Sequence, residues 1–249
     1  MTNQLAMAGQ VALVTGGSRG IGAAIVLALA QAGASVAFTF ERNGERAAEI
    51  ERQVVAEGGK AFAIQADSAD PAAVINAVEQ TVGQFGRLDV LVNNAGVGNG
   101  GPFDGVTVEA FDRLFAVHAR APFFAAQAAA RHMPNGGRII SIGTNMSGRV
   151  AFPGFSLYVA SKSALGGMTR ALARELGPQG ITVNTVDPGS TDTEMNPADG
   201  PYAEGQRGLS ALGRFGVPQD VAAAVLHLAG PGGSSITGTS ILVDSGFNA

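Results

Sequence analysis

Tyr158 and Lys162 are the residues of this chain whose types and spacing point most directly to chemistry. They lie four positions apart in a chain of 249 residues that holds two tyrosines and two lysines in total. On a helix this spacing places both side chains on one face, one turn apart. A phenol held beside an ammonium ion can exchange a proton with a substrate near neutral pH, which neither group does well alone.

Electrostatics indicates how strongly Lys162 could act on Tyr158. A positive charge about 4 Å from the phenol, at an effective dielectric constant near 20, is worth on the order of 4 kcal/mol to the phenolate. If Ser156 is the N-cap of the helix, its dipole favours the phenolate as well. We therefore expect a lowered pKa for Tyr158. The alternative is an ordinary amphipathic helix with a half-buried tyrosine and a solvated lysine.

A second pattern lies near the N-terminus, where the apolar run at 11–14 is followed by a cluster of glycines and then an Ala/Leu-rich stretch to Ala32. The sequence predicts a strand, a tight turn and a helix. The glycines follow the spacing Gly16-x₃-Gly20-x-Gly22. Such a turn lets the backbone approach a pyrophosphate closely and directs a helix N-terminus at the anion.

Four motifs together resemble the short-chain dehydrogenase/reductase family, most closely its single-domain 3-oxoacyl-carrier-protein reductase-like branch. They are Thr15-Gly16-Gly17-Ser18-Arg19-Gly20-Ile21-Gly22, Asn93-Asn94-Ala95-Gly96, Tyr158-x₃-Lys162, and Pro188-Gly189 with Thr193. The resemblance extends from about Gly9 to Phe247, with the motifs in the family's order. It implies an α/β, Rossmann-type, doubly wound parallel sheet of seven strands in the order 3-2-1-4-5-6-7.

The hydrophobic pattern predicts the same class of fold without that resemblance. Predicted strands at 11–15, 35–40, 61–65, 90–93, 138–142, 182–186 and 240–243 alternate with helical stretches. This rhythm is typical of right-handed βαβ crossovers in a parallel sheet covered on both faces. No linker or low-complexity tract divides the chain, so we expect one NAD(P)-binding domain over 1–249, with a substrate lid at about 190–210.

Composition excludes several function classes. A net charge of −4 and a pI near 5.4 argue against nucleic-acid binding. The chain has no cysteine for disulfide or thiolate chemistry. Its three histidines are scattered along the sequence, so we do not expect a catalytic metal. Residues 1–9 lack the features of a signal peptide, and no apolar run approaches 18 residues, so we expect a cytoplasmic protein without a membrane partner.

The end of the second strand predicts the cofactor. An acidic residue there would bond to the ribose 2′-hydroxyl of NAD(H), but the position is Phe40. Arg19 and Arg42 are placed to pair with a 2′-phosphate, so NADP(H) is favoured over NAD(H). Glu41 leaves the alternative open, since its carboxylate could turn towards the ribose.

The resemblance assigns further cofactor contacts. Asp67 touches the adenine amine, and Ser68 supplies backbone beside it. Lys162 binds the nicotinamide ribose hydroxyls, and the segment after the sixth strand holds the carboxamide. The complete predicted cofactor set is Gly16, Ser18, Arg19, Gly20, Ile21, Gly22, Phe40, Arg42, Asp67, Ser68, Asn94, Ala95, Gly96, Tyr158, Lys162, Pro188, Gly189, Thr191 and Thr193.

The resemblance also implies catalytic roles, with two departures from the family's pattern. Tyr158 is the general acid/base, but the usual serine is replaced by Thr144, which keeps a donor hydroxyl; Ser147 is the alternative. Ser141 is predicted to be structural. The usual asparagine is replaced by His118, which we expect to bond to a backbone carbonyl or a relay water and to pass protons.

These observations predict an NADP(H)-dependent ketoreductase. The expected pocket entrance, 98–103, 146–155 and 195–202, is mostly apolar and favours a neutral carbonyl substrate. The alternatives are an NAD-dependent alcohol or sugar dehydrogenase and a non-catalytic cofactor-binding regulator. Small residues in the helices at 108–133 and 158–176 are compatible with the homotetramer that the resemblance implies, or equally with packing of these helices on the sheet.

Overall fold

The computed structural model describes residues 6–98 and 100–249, which form alternating strands and helices. Asn99 of the predicted pocket entrance and residues 1–5 lie outside the described residues. The strands are β1 (Val11–Val14), β2 (Ser35–Phe40), β3 (Lys60–Gln65), β4 (Val90–Asn93), β5 (Arg138–Ile142), β6 (Thr182–Pro188) and β7 (Ser240–Val243). The α-helices are α1 (Gly20–Gln31), α2 (Gly44–Ala56), α3 (Pro71–Phe85), α4 (Val108–Phe115), α5 (Ala121–Ala130), α6 (Ser156–Leu176), α7 (Ala203–Leu209) and α8 (Pro218–Ala229).

All strand pairs are parallel, and the sheet order is β3-β2-β1-β4-β5-β6-β7. The predicted fold class and strand order are therefore confirmed. The order reverses between β1 and β4, so the loops after these two strands diverge and leave a crevice at the carboxyl edge. The glycine turn follows β1 and the Asn93–Gly96 motif follows β4, which brings two predicted motifs to this crevice.

The core has two layers because successive side chains of a buried strand point to opposite faces. In β1, Ala12 and Val14 pack in the layer that contains α1 and α8. Val11 and Leu13 pack in the opposite layer, with α3 and α5. This explains why β1 is apolar at every position rather than at alternate positions.

Element boundaries differ from the predictions in a few places. β1 ends at Val14, β3 begins at Lys60, and β6 continues to Pro188. α6 begins at Ser156, so the predicted N-cap role of Ser156 is wrong: Phe155 takes the cap position and makes no side-chain cap bond. Tyr158 nevertheless lies in the first turn of the helix, as expected.

The helix predicted over 108–133 is not continuous. It consists of α4, a π-helical turn at Ala116–Arg120, and α5, which ends at Ala130. Pro122 has no N–H to donate to the carbonyl four positions earlier, that of His118, which gives a physical reason for the wider turn. The interruption places His118 in the buried interior beside the crevice.

The small residues of α5 pack against the sheet. Ala125, Ala126, Ala128 and Ala129 are buried in the core layer with β1, β4 and β5. Of the two explanations left open for these alanines, packing on the sheet is the one the structure shows. Within the described residues, no helix combines the length and apolar character needed to cross a membrane.

Candidate active site

Glycine is sterically required in the turn between β1 and α1. Gly16 and Gly20 have φ angles of +67° and +54°, which other residues rarely adopt. A Cβ on Gly17 would lie 2.6 Å from Phe38 Cβ, and one on Gly22 would lie 2.2 Å from the Gly16 carbonyl oxygen. The turn therefore lacks a side chain at each of these four glycines and ends at the free N–H groups of α1, so it fits a pyrophosphate.

The loop after β4 is bonded to this turn. The Asn94 side-chain amide donates to the carbonyls of Thr15 and Gly16 at 2.9 and 3.0 Å. The backbone N–H groups of Asn94 and Ala95 donate to the Thr15 hydroxyl, each at 3.0 Å. The Asn94 side chain thus holds the two walls of the crevice together, with Thr15 as a partner, and its predicted contact with the cofactor stays a prediction.

Charged side chains meet at the end of the crevice beside β2 and β3. Asp67 accepts from the Ala69 N–H at 2.8 Å and from Arg113 at 2.9 Å. The Arg113 hydrogen bond holds the pKa of Asp67 below its ordinary value, so this carboxylate is charged and oriented. Arg113 also reaches Glu41 at 3.3 Å, and Arg42 lies 3.4 Å from the same Glu41 carboxylate.

Glu194 joins two arginines from different elements. Arg19, in the glycine turn, lies 3.3 Å from one carboxylate oxygen, and Arg46, in the first turn of α2, contacts the other. Arg42, by contrast, is 86% exposed and pairs with Glu41. In this structure Arg46 is the arginine that converges with Arg19 on one carboxylate, and the predicted pairing of Arg42 with a 2′-phosphate stays a prediction.

The segment after β6 crosses the crevice in this structure. Thr191 is buried, and its hydroxyl donates to the Gly189 carbonyl at 3.1 Å. A Cβ on Gly20 would lie 3.5 Å from Thr193 Cγ2, and one on Gly98 would lie 3.5 Å from the Met195 sulfur. Residues 193–195 therefore lie beside both walls. The predicted lid contains the helix α7, and Gln206 in α7 exchanges two amide hydrogen bonds with Asn196.

Tyr158 and Thr144 lie together on the inner side of the crevice. Burial raises the pKa of the half-buried Tyr158 phenol, and the hydrogen bond of the Thr144 side chain opposes that rise. The expectation that Lys162 gives Tyr158 a lowered pKa is therefore wrong for this structure, since desolvation dominates. Ser147, the alternative to Thr144, is exposed and accepts from Ser163 at 3.1 Å, while Ser141 is buried within the sheet.

Lys162 is buried and lies one turn after Tyr158 on the same helix. Its ammonium donates to the Ile142 carbonyl at 2.6 Å, at the end of β5. Burial lowers the pKa of Lys162 to about 8, and the charge of Asp187 opposes this shift. A Cβ on Gly143 would lie 2.0 Å from an Asp187 carboxylate oxygen, so Gly143 leaves room for this acid.

His118 is held by hydrogen bonds on both ring nitrogens. The Val97 N–H donates to Nε2 at 3.0 Å, so Nε2 carries no proton. Nδ1 lies 2.9 Å from the Ser161 hydroxyl, which donates to the Tyr158 carbonyl at 2.8 Å. Burial and the nearby Lys162 charge lower the pKa of His118 to about 3. Of the two predicted partners, a backbone carbonyl and a relay water, the carbonyl is not found: the ring is a neutral link between the Val97 N–H in the β4 loop and Ser161 in α6. The predicted proton transfer stays a prediction.

Six residues with clear places in this site were not predicted: Thr15, Arg46, Arg113, Ser161, Asp187 and Glu194. Three of them carried a signal in the sequence: Thr15 begins the glycine-turn motif, Ser161 directly precedes Lys162, and Asp187 directly precedes the Pro188-Gly189 motif. Arg46, Arg113 and Glu194 carried none, because their partners lie between 46 and 175 positions away along the chain.

Comparison with known proteins places the chain among relatives of matching length. The family described as enoyl-(acyl carrier protein) reductase matches residues 16–248. A cyclic-di-GMP-binding biofilm dispersal mediator protein of Escherichia coli K12 is 45% identical over 98% of this chain and 99% of its own length. Versicolorin reductase 1 of Aspergillus parasiticus is 40% identical over 99% of both chains.

A solved structure of a related protein has the same fold as this chain. A short-chain dehydrogenase from Burkholderia cenocepacia J2315, in complex with NADP, is 54% identical and superposes with a TM-score of 0.97. The match covers 98% of this chain and 100% of that one. Together with the sheet order and the crevice, these similarities show that the chain belongs to the short-chain dehydrogenase/reductase family of oxidoreductases.

Proposed function

We propose that this protein is an NADP(H)-dependent carbonyl reductase in which Tyr158 is the general acid. The observation that carries the proposal is the placement of the Tyr158 phenol and the Thr144 hydroxyl together beside the crevice, with the buried Lys162 one turn further along α6, bonded to the end of β5. A proton donor and a second hydroxyl at one point are what a carbonyl oxygen requires when its carbon accepts a hydride.

The backbone and the charged side chains of the crevice both fit a dinucleotide. The glycine cradle leaves room for a pyrophosphate, and Asp67 presents an oriented carboxylate to an adenine amine. Gly16, Ser18, Gly20, Ile21, Gly22, Ser68, Ala95, Gly96, Pro188, Gly189, Thr191 and Thr193 are retained as proposed cofactor contacts. The relative from Burkholderia cenocepacia, at 54% identity, was solved with NADP and supports the same cofactor class for this chain.

Three features favour NADP(H) over NAD(H). Phe40 ends β2 and has no acceptor for a ribose 2′-hydroxyl. Glu41, the residue that left NAD(H) open, is paired with Arg113 and Arg42, so its charge is largely balanced. Arg19 adds positive charge at the glycine turn. An NAD-dependent dehydrogenase is therefore the less favoured assignment.

When bound, NADPH supplies the hydride; the chain's own residues handle the proton and the developing charge. Because burial raises the pKa of Tyr158, the phenol is protonated at neutral pH and able to donate to a carbonyl oxygen. Thr144 donates a second hydrogen bond to that oxygen. After proton transfer, the Lys162 ammonium stabilises the resulting phenolate, and the Asp187 charge helps to keep Lys162 protonated.

The walls near Tyr158 favour a neutral, apolar carbonyl compound. Phe155 packs edge-on against the Tyr158 ring, with centroids 6.4 Å apart, and Met195 lies against the opposite loop at Gly98. We retain residues 190–210 as the substrate lid, since 193–195 already cross the crevice.

A homotetramer and a cytoplasmic location stay predictions. Three apolar side chains on α4 and α5 are exposed and suit an interface between copies of the chain: Val108, Phe111 and Phe123.

The decisive experiment follows nicotinamide absorbance with NADPH, NADH and a 2-haloacetophenone. We expect turnover with NADPH and a clear preference for it over NADH. Equal rates with both cofactors would contradict the cofactor assignment. Tight NADPH binding without turnover of the activated ketone would contradict catalysis and favour a nucleotide-binding regulator, a second candidate suggested by the Escherichia coli relative named for cyclic-di-GMP binding.

A further inference from the structure

Glu194 is an unusual partner for the arginines of a cofactor site. Arg19 lies 175 positions before it and Arg46 lies 148 positions before it, yet both guanidinium groups meet its two carboxylate oxygens. Arg19 is the N-cap residue of α1, and Arg46 is in the first turn of α2, just after β2. The two arginines thus converge beside the end of β2, where a 2′-phosphate is expected.

We propose that Arg19 and Arg46 together form the site for the 2′-phosphate of NADP(H), and that the Glu194 carboxylate occupies this site in competition with the phosphate. This inference rests on the proposed cofactor class. A carboxylate and a phosphate monoester present the same kind of oxygen acceptors to guanidinium groups, so one can replace the other. Arg46, rather than Arg42, is the second arginine of the site.

The charges of the phosphate and the carboxylate determine which of them binds the two arginines more tightly. A phosphate monoester carries between about −1.5 and −2 charges at neutral pH, whereas the carboxylate carries one, so two arginines favour the phosphate. The ion pairs that it replaces are weak, because the side chains of Arg19, Arg46 and Glu194 are 65%, 44% and 50% exposed. Glu194 therefore reduces the affinity for the phosphate without preventing its binding.

The position of Glu194 in the lid gives this competition a structural basis. Its neighbours Thr193 and Met195 contact the glycine turn at Gly20 and the β4 loop at Gly98. The backbone that carries Glu194 thus lies across the crevice, within reach of both arginines. A compound with a 2′-phosphate must displace the Glu194 carboxylate, which lowers its affinity. A compound without that phosphate binds without displacing it.

Isothermal titration calorimetry with 2′,5′-ADP and 5′-AMP tests the competition without turnover, because the two compounds differ only by the 2′-phosphate. Glu194→Gln keeps the shape of the side chain and removes its charge. We expect it to tighten 2′,5′-ADP binding by about threefold to tenfold, the range for two exposed ion pairs, and to leave 5′-AMP unchanged. Glu204→Gln, an exposed carboxylate on α7, is the matched control and should change neither.

The arginines are tested in the same titrations. Arg46→Gln should weaken 2′,5′-ADP binding by about tenfold, as for loss of one charge-assisted phosphate contact, and leave 5′-AMP unchanged. Arg52→Gln removes an exposed arginine from the same helix and should have no effect. Thermal unfolding of each variant checks that the fold is retained.

The outcomes separate this inference from the proposed function. Failure of the wild type to bind either NADPH or 2′,5′-ADP overturns the cofactor assignment itself. Binding of both, with an unchanged 2′,5′-ADP affinity in Glu194→Gln, overturns the competition alone. A larger loss in Arg42→Gln than in Arg46→Gln overturns the assignment of Arg46.

Discussion

The two ends of the crevice hold their charged groups in opposite ways. Around Tyr158, the side chains of Lys162, His118 and Ser161 are buried and hydrogen-bonded, and two pKa values move far from their ordinary range. Around Arg19, the charged groups are exposed and joined by ion pairs. Buried polar groups act strongly because water cannot replace a lost partner, whereas exposed pairs are screened and individually weak.

This contrast predicts how substitutions should divide between the two ends. Changes near Tyr158 should cost orders of magnitude in rate or several kcal/mol in stability. Changes among the exposed ion pairs should cost small factors in cofactor affinity. The predictions below test that division, from the largest expected effect to the smallest.

Tyr158→Phe should reduce kcat by about 10³-fold, because it removes the proton donor while the ring keeps its edge contacts with His118 and Phe155. NADPH affinity, measured by calorimetry, should change little. Tyr202→Phe, at the exposed tyrosine, is the control and should keep full activity. A Tyr158→Phe variant as active as the wild type would remove the basis of the catalytic assignment.

Thr144→Val should reduce kcat/KM by about 10²-fold, since it removes one donor to the carbonyl oxygen at nearly constant shape. Thr144→Ser keeps the hydroxyl that also caps the turn at Met146, so it should retain most of the activity. Steady-state kinetics on both variants separates the hydroxyl from the methyl group. Equal losses in the two would show that packing, rather than the hydroxyl, matters at this position.

His118 should make the fold sensitive to acid. Its pKa is lowered from 6.5 to about 3, so below pH 6.5 the unfolded chain binds a proton that the native state does not. Stability from this residue is full above pH 6.5 and is lost as the pH falls towards 3. Between pH 6.5 and 4.5 the wild type should lose about 2–3 kcal/mol more than His118→Asn, whose amide can still accept from Val97.

Urea unfolding at several pH values measures that difference. At neutral pH, His118→Asn should retain turnover, because the histidine is neutral there in any case. Parallel acid sensitivity of wild type and variant would show that His118 is not the titrating group. Loss of turnover in a folded variant would instead assign the ring a role that asparagine cannot fill.

The rate of ketone reduction should fall as the pH rises through the pKa of Lys162, about 8. Above that value the ammonium loses its proton and no longer stabilises the Tyr158 phenolate, so kcat/KM should drop by about tenfold per pH unit. Asp187→Asn should move the break to lower pH, because Asp187 raises the pKa of Lys162. A rate that stays constant as the pH rises through this value would show that Lys162 does not control the reaction.

Arg113→Gln should have the smallest effect of the set. It releases Asp67 and Glu41 from a half-exposed guanidinium, so we expect about a threefold weaker affinity for NADPH and for 5′-AMP alike. Arg131→Gln, at the exposed end of α5, is the control for loss of an arginine. A loss of a hundredfold would mean that this end of the crevice is as tightly coupled as the catalytic end.

Sequence by itself determined the features that depend on neighbours along the chain. The seven strands, their alternation with helices, the glycine turn, and the placement of Tyr158 and Lys162 one turn apart were all predictable, because local periodicity and glycine conformation control them. The family resemblance supplied the strand order, which the structure confirms.

Only the tertiary structure decided the features that depend on burial and on distant partners. The pKa of Tyr158 moves upward because the folded chain surrounds the phenol, an effect that outweighs the hydrogen bond from Thr144. Likewise, Arg46 rather than Arg42 meets Glu194, since side chains 148 positions apart are brought together by the order of the strands. Spacing along a chain predicts which groups can interact, whereas desolvation and long-range contact decide which interaction dominates.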